Sequence, residues 1–168
     1  MRIMSAWTRP TTADIGLRVF SPNINELFRE TTTGMQNILL SAKSRVNLNS
    51  HMRHSSQWNV SIEKSVDNHN EMLLVKWLEE VLFRAEIHDE FLTEVQIILT
   101  EDENFIFCNA QVDWINVSLI ERELEIKAVT THELRVEEIE QNVEINSIWE
   151  EVPNFIGPGW YCDIVFDI

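Results

Sequence analysis

Apolar and polar residues alternate from Ile15 onward: Ile15, Leu17 and Val19 fall on one side, Gly16 and Arg18 on the other. A period of two predicts a half-buried strand over residues 13–20. Ser21-Pro22-Asn23 interrupts it and supplies a helix start. From Ile24 the period changes, and Leu27, Phe28, Thr31, Met35, Ile38 and Leu39 return at helical spacing. Gly34 lies inside this helix and weakens it by ~1 kcal/mol relative to alanine. A close neighbour at Gly34, or an imperfect helix, is therefore expected.

Residues 41–64 are polar, with one strand predicted at QWNVSI, where Trp58, Val60 and Ile62 alternate. A second helix follows. Asn68, with Glu71 three residues later, resembles a capping pair. Leu74, Trp77, Leu78, Val81, Leu82 and Ala85 form a stripe, while Lys76, Glu79, Glu80 and Arg84 face water. Leu73, Val75 and Phe83 widen the apolar surface, so the helix is expected to be covered on more than one side. Beyond it the chain reads as strand. EVQIILT and FIFCNAQV flank the polar turn EDEN, as in a hairpin. INVSL, ELEIKAVT and HELRVEEI continue the pattern, NSIWEEVPNFIGPG reads as a loop, and GWYCDIVFDI closes the chain. The class is α+β: a mainly antiparallel or mixed sheet of about seven strands with two main helices packed on one face, in a single domain spanning residues 1–168.

Composition narrows the function. The net charge is −15 over 168 residues. Such a surface repels phosphate backbones, and no basic stripe offsets it, so direct binding of nucleic acid is disfavoured. Acidity serves solubility, or else a cation site or a basic partner. No apolar stretch reaches the ~18–20 residues that span a bilayer, so no membrane partner is expected. The start MRIMSAWTRP lacks the apolar core of a signal peptide. Cys108 and Cys162 each sit in an apolar run and read as reduced, buried thiols of a cytoplasmic protein. The sequons at Asn59 and Asn116 are idle without secretion. Phosphate-loop, Gly-x-Ser-x-Gly, His-Glu-x-x-His and Cys-x-x-Cys motifs are absent, which disfavours an independent enzyme such as a metal-assisted hydrolase.

In the last strand Tyr161, Asp163, Val165 and Asp167 share one face. Taken alone, Asp167 reads as a solvated acid at a terminal strand. If the first and last strands pair, Asp14 and Asp167 converge with the α-carboxylate of Ile168. Three hard oxygen donors so close repel unless a cation lies among them.

Four blocks carry a resemblance to the archease family. TADIGLRV resembles its N-terminal HTADIGI strand, and LLVKWLEEVLFRAE its LLVDWLNELLYLFD helix. EIKAVTTHELRVEE resembles EVKAVTYHDLEVEK, and the final VFDI resembles VLDI. The blocks run in order from residue 11 to residue 168. The chain departs from the pattern at Thr11, Lys76 and Thr131, where the family has His, Asp and Tyr. The resemblance implies a non-catalytic protein cofactor of the GTP-dependent RNA ligase, which joins 3′-phosphate or cyclic-phosphate ends to 5′-hydroxyls in tRNA splicing and RNA repair. It implies that the protein speeds formation of the ligase–guanylate intermediate and allows multiple turnover. It also implies a divalent-cation site, Ca²⁺ or Mg²⁺, ligated by Asp14, Asp167 and the terminal carboxylate of Ile168. Lys127 and His132 match the motif and are candidate partner contacts. A diverged interaction or chaperone-like module without ligase activation is the alternative reading.

Overall fold

Asn23 opens the first helix as expected: its Oδ1 accepts from the Glu26 N–H at 2.9 Å. The structure, a computed structural model, describes residues 5–9 and 14–168. Thr11 and Ala13, both part of the readings above, lie outside those residues. In chain order the elements are β1 (Ala6–Arg9), β2 (Asp14–Ser21), α1 (Ile24–Leu39), α2 (Ala42–Asn47), β3 (His54–Glu63) and α3 (His69–His88). They are followed by β4 (Glu90–Glu101), β5 (Phe105–Asn116), β6 (Ala128–Ile139), β7 (Glu144–Ile145), β8 (Phe155–Ile156) and β9 (Gly159–Asp167).

The α+β class holds, but the strands do not form one sheet. Among the described residues they divide into a four-stranded sheet of order β1-β2-β9-β6, a three-stranded sheet of order β3-β5-β4 and the short pair β7-β8. Every pairing is antiparallel. The two main helices pack against both large sheets, α1 on β2 and β4, α3 on β3, β4 and β6. That two-sided cover explains why α3 buries Leu73 and Val75 as well as the stripe of Leu74, Trp77, Leu78, Val81 and Ala85; Phe83, expected on the covered surface too, is instead exposed, facing the groove beside Lys127. Leu17, Val19, Cys162, Ile164 and Phe166 join the helices in one core. Both cysteines are free and buried. Burial pushes the Cys108 thiol up to about 12 and raises that of Cys162 as well.

Several local expectations change. At Gly34, a Cβ would stand 2.8 Å from Leu17 Cδ2 and 3.4 Å from Ala6 Cβ, so the missing side chain lets α1 lie close on β1 and β2. Asn68 takes a left-handed φ of 54° and makes no side-chain cap. Glu71 instead reaches β6, where its Oε1 accepts from the Val136 N–H at 3.4 Å. The strand expected at ELEIKAVT begins only at Ala128. Before it, Ser41 N–H donates to Glu121 O at 3.0 Å and Glu123 N–H to Leu39 O at 2.9 Å. Those bonds tie the segment to the end of α1 instead of to a sheet. β1 and α2 carry no periodic signal long enough to have been expected.

Candidate functional site at the paired ends of β2 and β9

β2 and β9 pair antiparallel in a register that sets Asp14 directly opposite Asp167, Gly16 opposite Val165 and Arg18 opposite Asp163. Residues opposite one another share a face, with Cβ atoms about 4.5–5.5 Å apart. The alternate positions form the core face, so these acids and Arg18 stand on the sheet face turned away from the helices. Asp14 is half-buried and Asp167 exposed. Directly opposed like charges destabilise a ladder. A pair of half-solvated carboxylates held this way suits a hard divalent cation, which takes oxygen donors. Among the described residues no group of three or more His, Cys, Asp or Glu side chains is gathered for a metal. The third donor of the expected set is a main-chain carboxylate, that of Ile168, next to Asp167. The Ile168 side chain packs against the core.

Lys127 is held at this same end. Its backbone N–H donates to Asp167 O at 2.8 Å, while Ala128 stands opposite Asp167 across the β6–β9 ladder. The Lys127 side chain is exposed and lines a groove with Glu79, Leu82, Phe83 and Glu86 of α3. His132 is not gathered into this end. It lies in a wide bulge of β6, between Thr130 opposite Val165 and Arg135 opposite Asp163. Its ring is exposed, with Nε2 3.9 Å from Glu133 Oε1. Thr131 is exposed in the same bulge. Lys76 donates through Nζ to Ser61 O at 2.7 Å, so it bridges α3 to β3 far from the carboxylate pair in the chain.

Two features of this face escaped the sequence reading. Arg18 and Asp163 form a buried two-pronged pair, with Nε to Oδ1 at 2.7 Å and Nη2 to Oδ2 at 2.6 Å. Arg18 Nη1 also donates to Asn146 O at 3.1 Å. Its hydrogen bond to Asp163, opposed by burial, raises the Arg18 pKa above its ordinary value. The available signal was the alternation itself, which assigns Arg18 and Asp163 to faces that coincide once β2 and β9 pair. The second feature is Arg9, opposite Gly16 on β1. Its guanidinium lies over Trp149, 4.8 Å from the ring centre, and that of Arg18 lies over the same ring at 5.1 Å. Trp149 comes from the segment between β7 and β8. β8, which follows it, supplies Phe155, which stacks on Phe20 with ring centres 4.8 Å apart and caps the far part of the face.

No helix among the described residues is long and apolar enough to cross a membrane. A search of curated proteins returned no match. Among solved structures the chain is similar to the solution structure of Methanobacterium thermoautotrophicum protein 1598. The two are 20% identical over 98% of this chain and 99% of the other, with a TM-score of 0.56, a likeness that supports the fold. The family model described as the archease protein family (MTH1598/TM1083) matches residues 8–168. With a match over nearly its whole length, and with the motif strands paired end to end, this chain belongs to the archease family.

Proposed function

We propose that the protein is a non-catalytic activator of a GTP-dependent RNA ligase and acts through a divalent cation held at the β2–β9 end. The single observation that carries this reading is the register of Asp14 against Asp167, in a chain of the archease family. The ligand set is Asp14, Asp167 and the terminal carboxylate of Ile168. All three donors are oxygen, which favours Ca²⁺ or Mg²⁺ over zinc. Three donors leave much of a shell of about six to eight oxygens open for Ca²⁺. Those open positions would be free to take groups of the ligase or its nucleotide. Lys127, anchored beside Asp167, is the cationic contact nearest in the ladder; His132 on the β6 bulge is a second partner contact.

The test is a guanylylation assay of the matching ligase with GTP, run with substoichiometric amounts of this protein. Wild type is expected to raise the rate and permit multiple turnover. Asp14→Ala and Asp167→Ala, with folding verified by circular dichroism, are expected to lose that stimulation. Full stimulation by both variants would falsify the cation mechanism. No stimulation by the wild type would instead favour a module that binds its partner without activating it.

A further inference from the structure

Arg9 is buried, at 4% exposure, yet its Nε and Nη2 have no hydrogen-bond partner. Its remaining nitrogen, Nη1, lies 3.8 Å from Glu133 Oε2, too far for a hydrogen bond, and the Glu133 side chain is 63% exposed. A buried cation left this way is costly, because it is desolvated without a compensating acceptor. The Trp149 ring offsets only part of that, since a cation–π contact is weaker than a charge-paired hydrogen bond. The neighbouring arginine shows what the free edge is shaped for. Arg18 lies on the same Trp149 ring, and the equivalent edge, Nε with Nη2, grips both oxygens of Asp163. On Arg9 no acceptor among the described residues meets that edge. A water molecule would satisfy the donors but not the charge.

The floor beneath Arg9 is Gly16. A Cβ at that position would overlap Arg9 Nε, so the glycine makes the shelf on which the guanidinium lies. Two residues along the same strand and on the same face stands Asp14, about 7 Å away at the strand rise. An oxyanion on Arg9 would therefore lie on the same sheet face as the carboxylate pair. A carboxylate ligand would spend both of its oxygens on the fork. A phosphate group has further oxygens, able to reach a cation held at Asp14 and Asp167. The net charge of −15 repels a bare anion, so the phosphate is best recruited together with its divalent cation.

We infer that the Nε/Nη2 edge of Arg9, under Trp149 and above Gly16, is a phosphate-binding site. The joint role of a cation at Asp14–Asp167 rests on the function proposed above; the fork itself does not. Entry requires the Trp149 ring to lift from the guanidinium, which makes indole fluorescence a direct reporter.

The experiment titrates the full chain with MgCl2 alone, with inorganic phosphate in EDTA, and with phosphate in the presence of Mg²⁺, following heat and tryptophan fluorescence. Wild type is expected to bind phosphate more tightly with Mg²⁺ than without. Arg9→Gln is expected to weaken phosphate by roughly tenfold or more and to leave the response to Mg²⁺ alone unchanged. Arg9→Lys keeps the charge but cannot grip two oxygens at once, and is expected to fall between them. Trp149→Phe should remove the phosphate-linked fluorescence change. Neither Arg9 variant removes a hydrogen bond from the fork edge, so both should fold, which melting curves check. Phosphate binding in EDTA that Arg9→Gln abolishes, without any response to Mg²⁺, sustains the fork and sinks the cation reading alone. Mg²⁺ binding without phosphate binding, or phosphate binding untouched by Arg9→Gln, overturns the fork and leaves the cation reading standing. Absence of both responses overturns both.

Discussion

Replacing Asp163 by alanine tests the account of the β2–β9 face most directly. The wild-type carboxylate meets Arg18 through two bonds of 2.7 and 2.6 Å, and each side chain is 8% exposed. Removing it leaves the guanidinium with Asn146 O at 3.1 Å and two aromatic rings. Breaking one side of a buried pair costs about 3–5 kcal/mol, because the surviving charge stays desolvated. Against a total stability of about 5–15 kcal/mol for a domain, that loss is at least about a fifth. Removing both charges is different. In Arg18→Met/Asp163→Leu neither desolvation nor attraction remains, and such replacements are neutral or stabilising by about 1–4 kcal/mol. Urea unfolding followed by far-ultraviolet dichroism reads both. Asp163→Ala should lower the midpoint with little change in slope, and the double variant should recover it. The double-mutant cycle should return a strong coupling. If Asp163→Ala costs less than about 1 kcal/mol, the pair is more hydrated than its burial implies. If the double variant is as unstable as the single, packing and not charge governs the site. Either result refutes the argument.

At the carboxylate pair, Asp14→Asn should raise the melting temperature in EDTA, since it removes a like charge opposite Asp167; at about 0.2–1 kcal/mol the rise is at most a few degrees. Asp14→Ala should lose the stabilisation expected of wild type in saturating Ca²⁺, and a Ca²⁺-dependent shift kept intact in differential scanning calorimetry would exclude Asp14 as a ligand. Gly34→Val forces two extra methyl groups and a Cβ against Leu17, which is itself 2% exposed, and should cost about 1–3 kcal/mol in denaturant titrations; unchanged stability would mean that α1 is free to shift away from β2. Tyr161 is the one tyrosine of the chain, so tyrosinate absorbance reports it alone. Burial first, and then its hydrogen bond to Glu137 at 3.0 Å, push its pKa up to about 12 from 10.0. The folded state therefore prefers the neutral phenol: its contribution to stability is complete below pH 10.0 and is lost as the pH rises through about 12. A native-state midpoint at the ordinary value, or an alkaline stability curve unchanged in Tyr161→Phe, would contradict this.

Helical periodicity disclosed α1 and α3 because each buries a stripe long enough to repeat. Leu74, Trp77, Leu78, Val81 and Ala85 are all buried, and even the two-sided cover of α3 was written in Leu73 and Val75. The period-two signal was less reliable for a physical reason. Leu124 and Ile126 alternate with polar residues as a strand would, yet Leu124 is exposed and the backbone just before them bonds to Leu39 and Ser41. Alternation marks a period of two; it does not record which backbone supplies the hydrogen bonds. The division into two sheets was hidden for the same reason, since pairing partners lie far apart in sequence. β2 and β9 are separated by more than a hundred residues, and only the structure sets Asp14 opposite Asp167. The faces of both acids were readable from their strands. Trp149 was not readable at all, because it sits in a segment with no period and acquires its role only by lying over two arginines.

The charges on this face are then best understood together. Arg18 is answered by Asp163 within the fold, and that pair is structural. Arg9 and the Asp14–Asp167 pair are not answered in the same way. They are opposite in sign and close along the sheet, yet no ion pair within 4.0 Å joins them among the described residues. A side chain reaching across would have settled both at once, as Asp163 settles Arg18. Leaving a cationic fork and an anionic pair unjoined on one sheet face costs stability, and a fold selected for stability alone would join them. On the readings proposed above, a cation carrying a phosphate would join them from outside, with Asp14 and Asp167 holding the metal and the Arg9 fork holding the phosphate. On this view the stability deficit of the free protein and its affinity for a metal–phosphate group have the same origin. Variants that remove the deficit, Arg9→Gln and Asp14→Asn, should therefore be at least as stable as wild type when free and worse at binding.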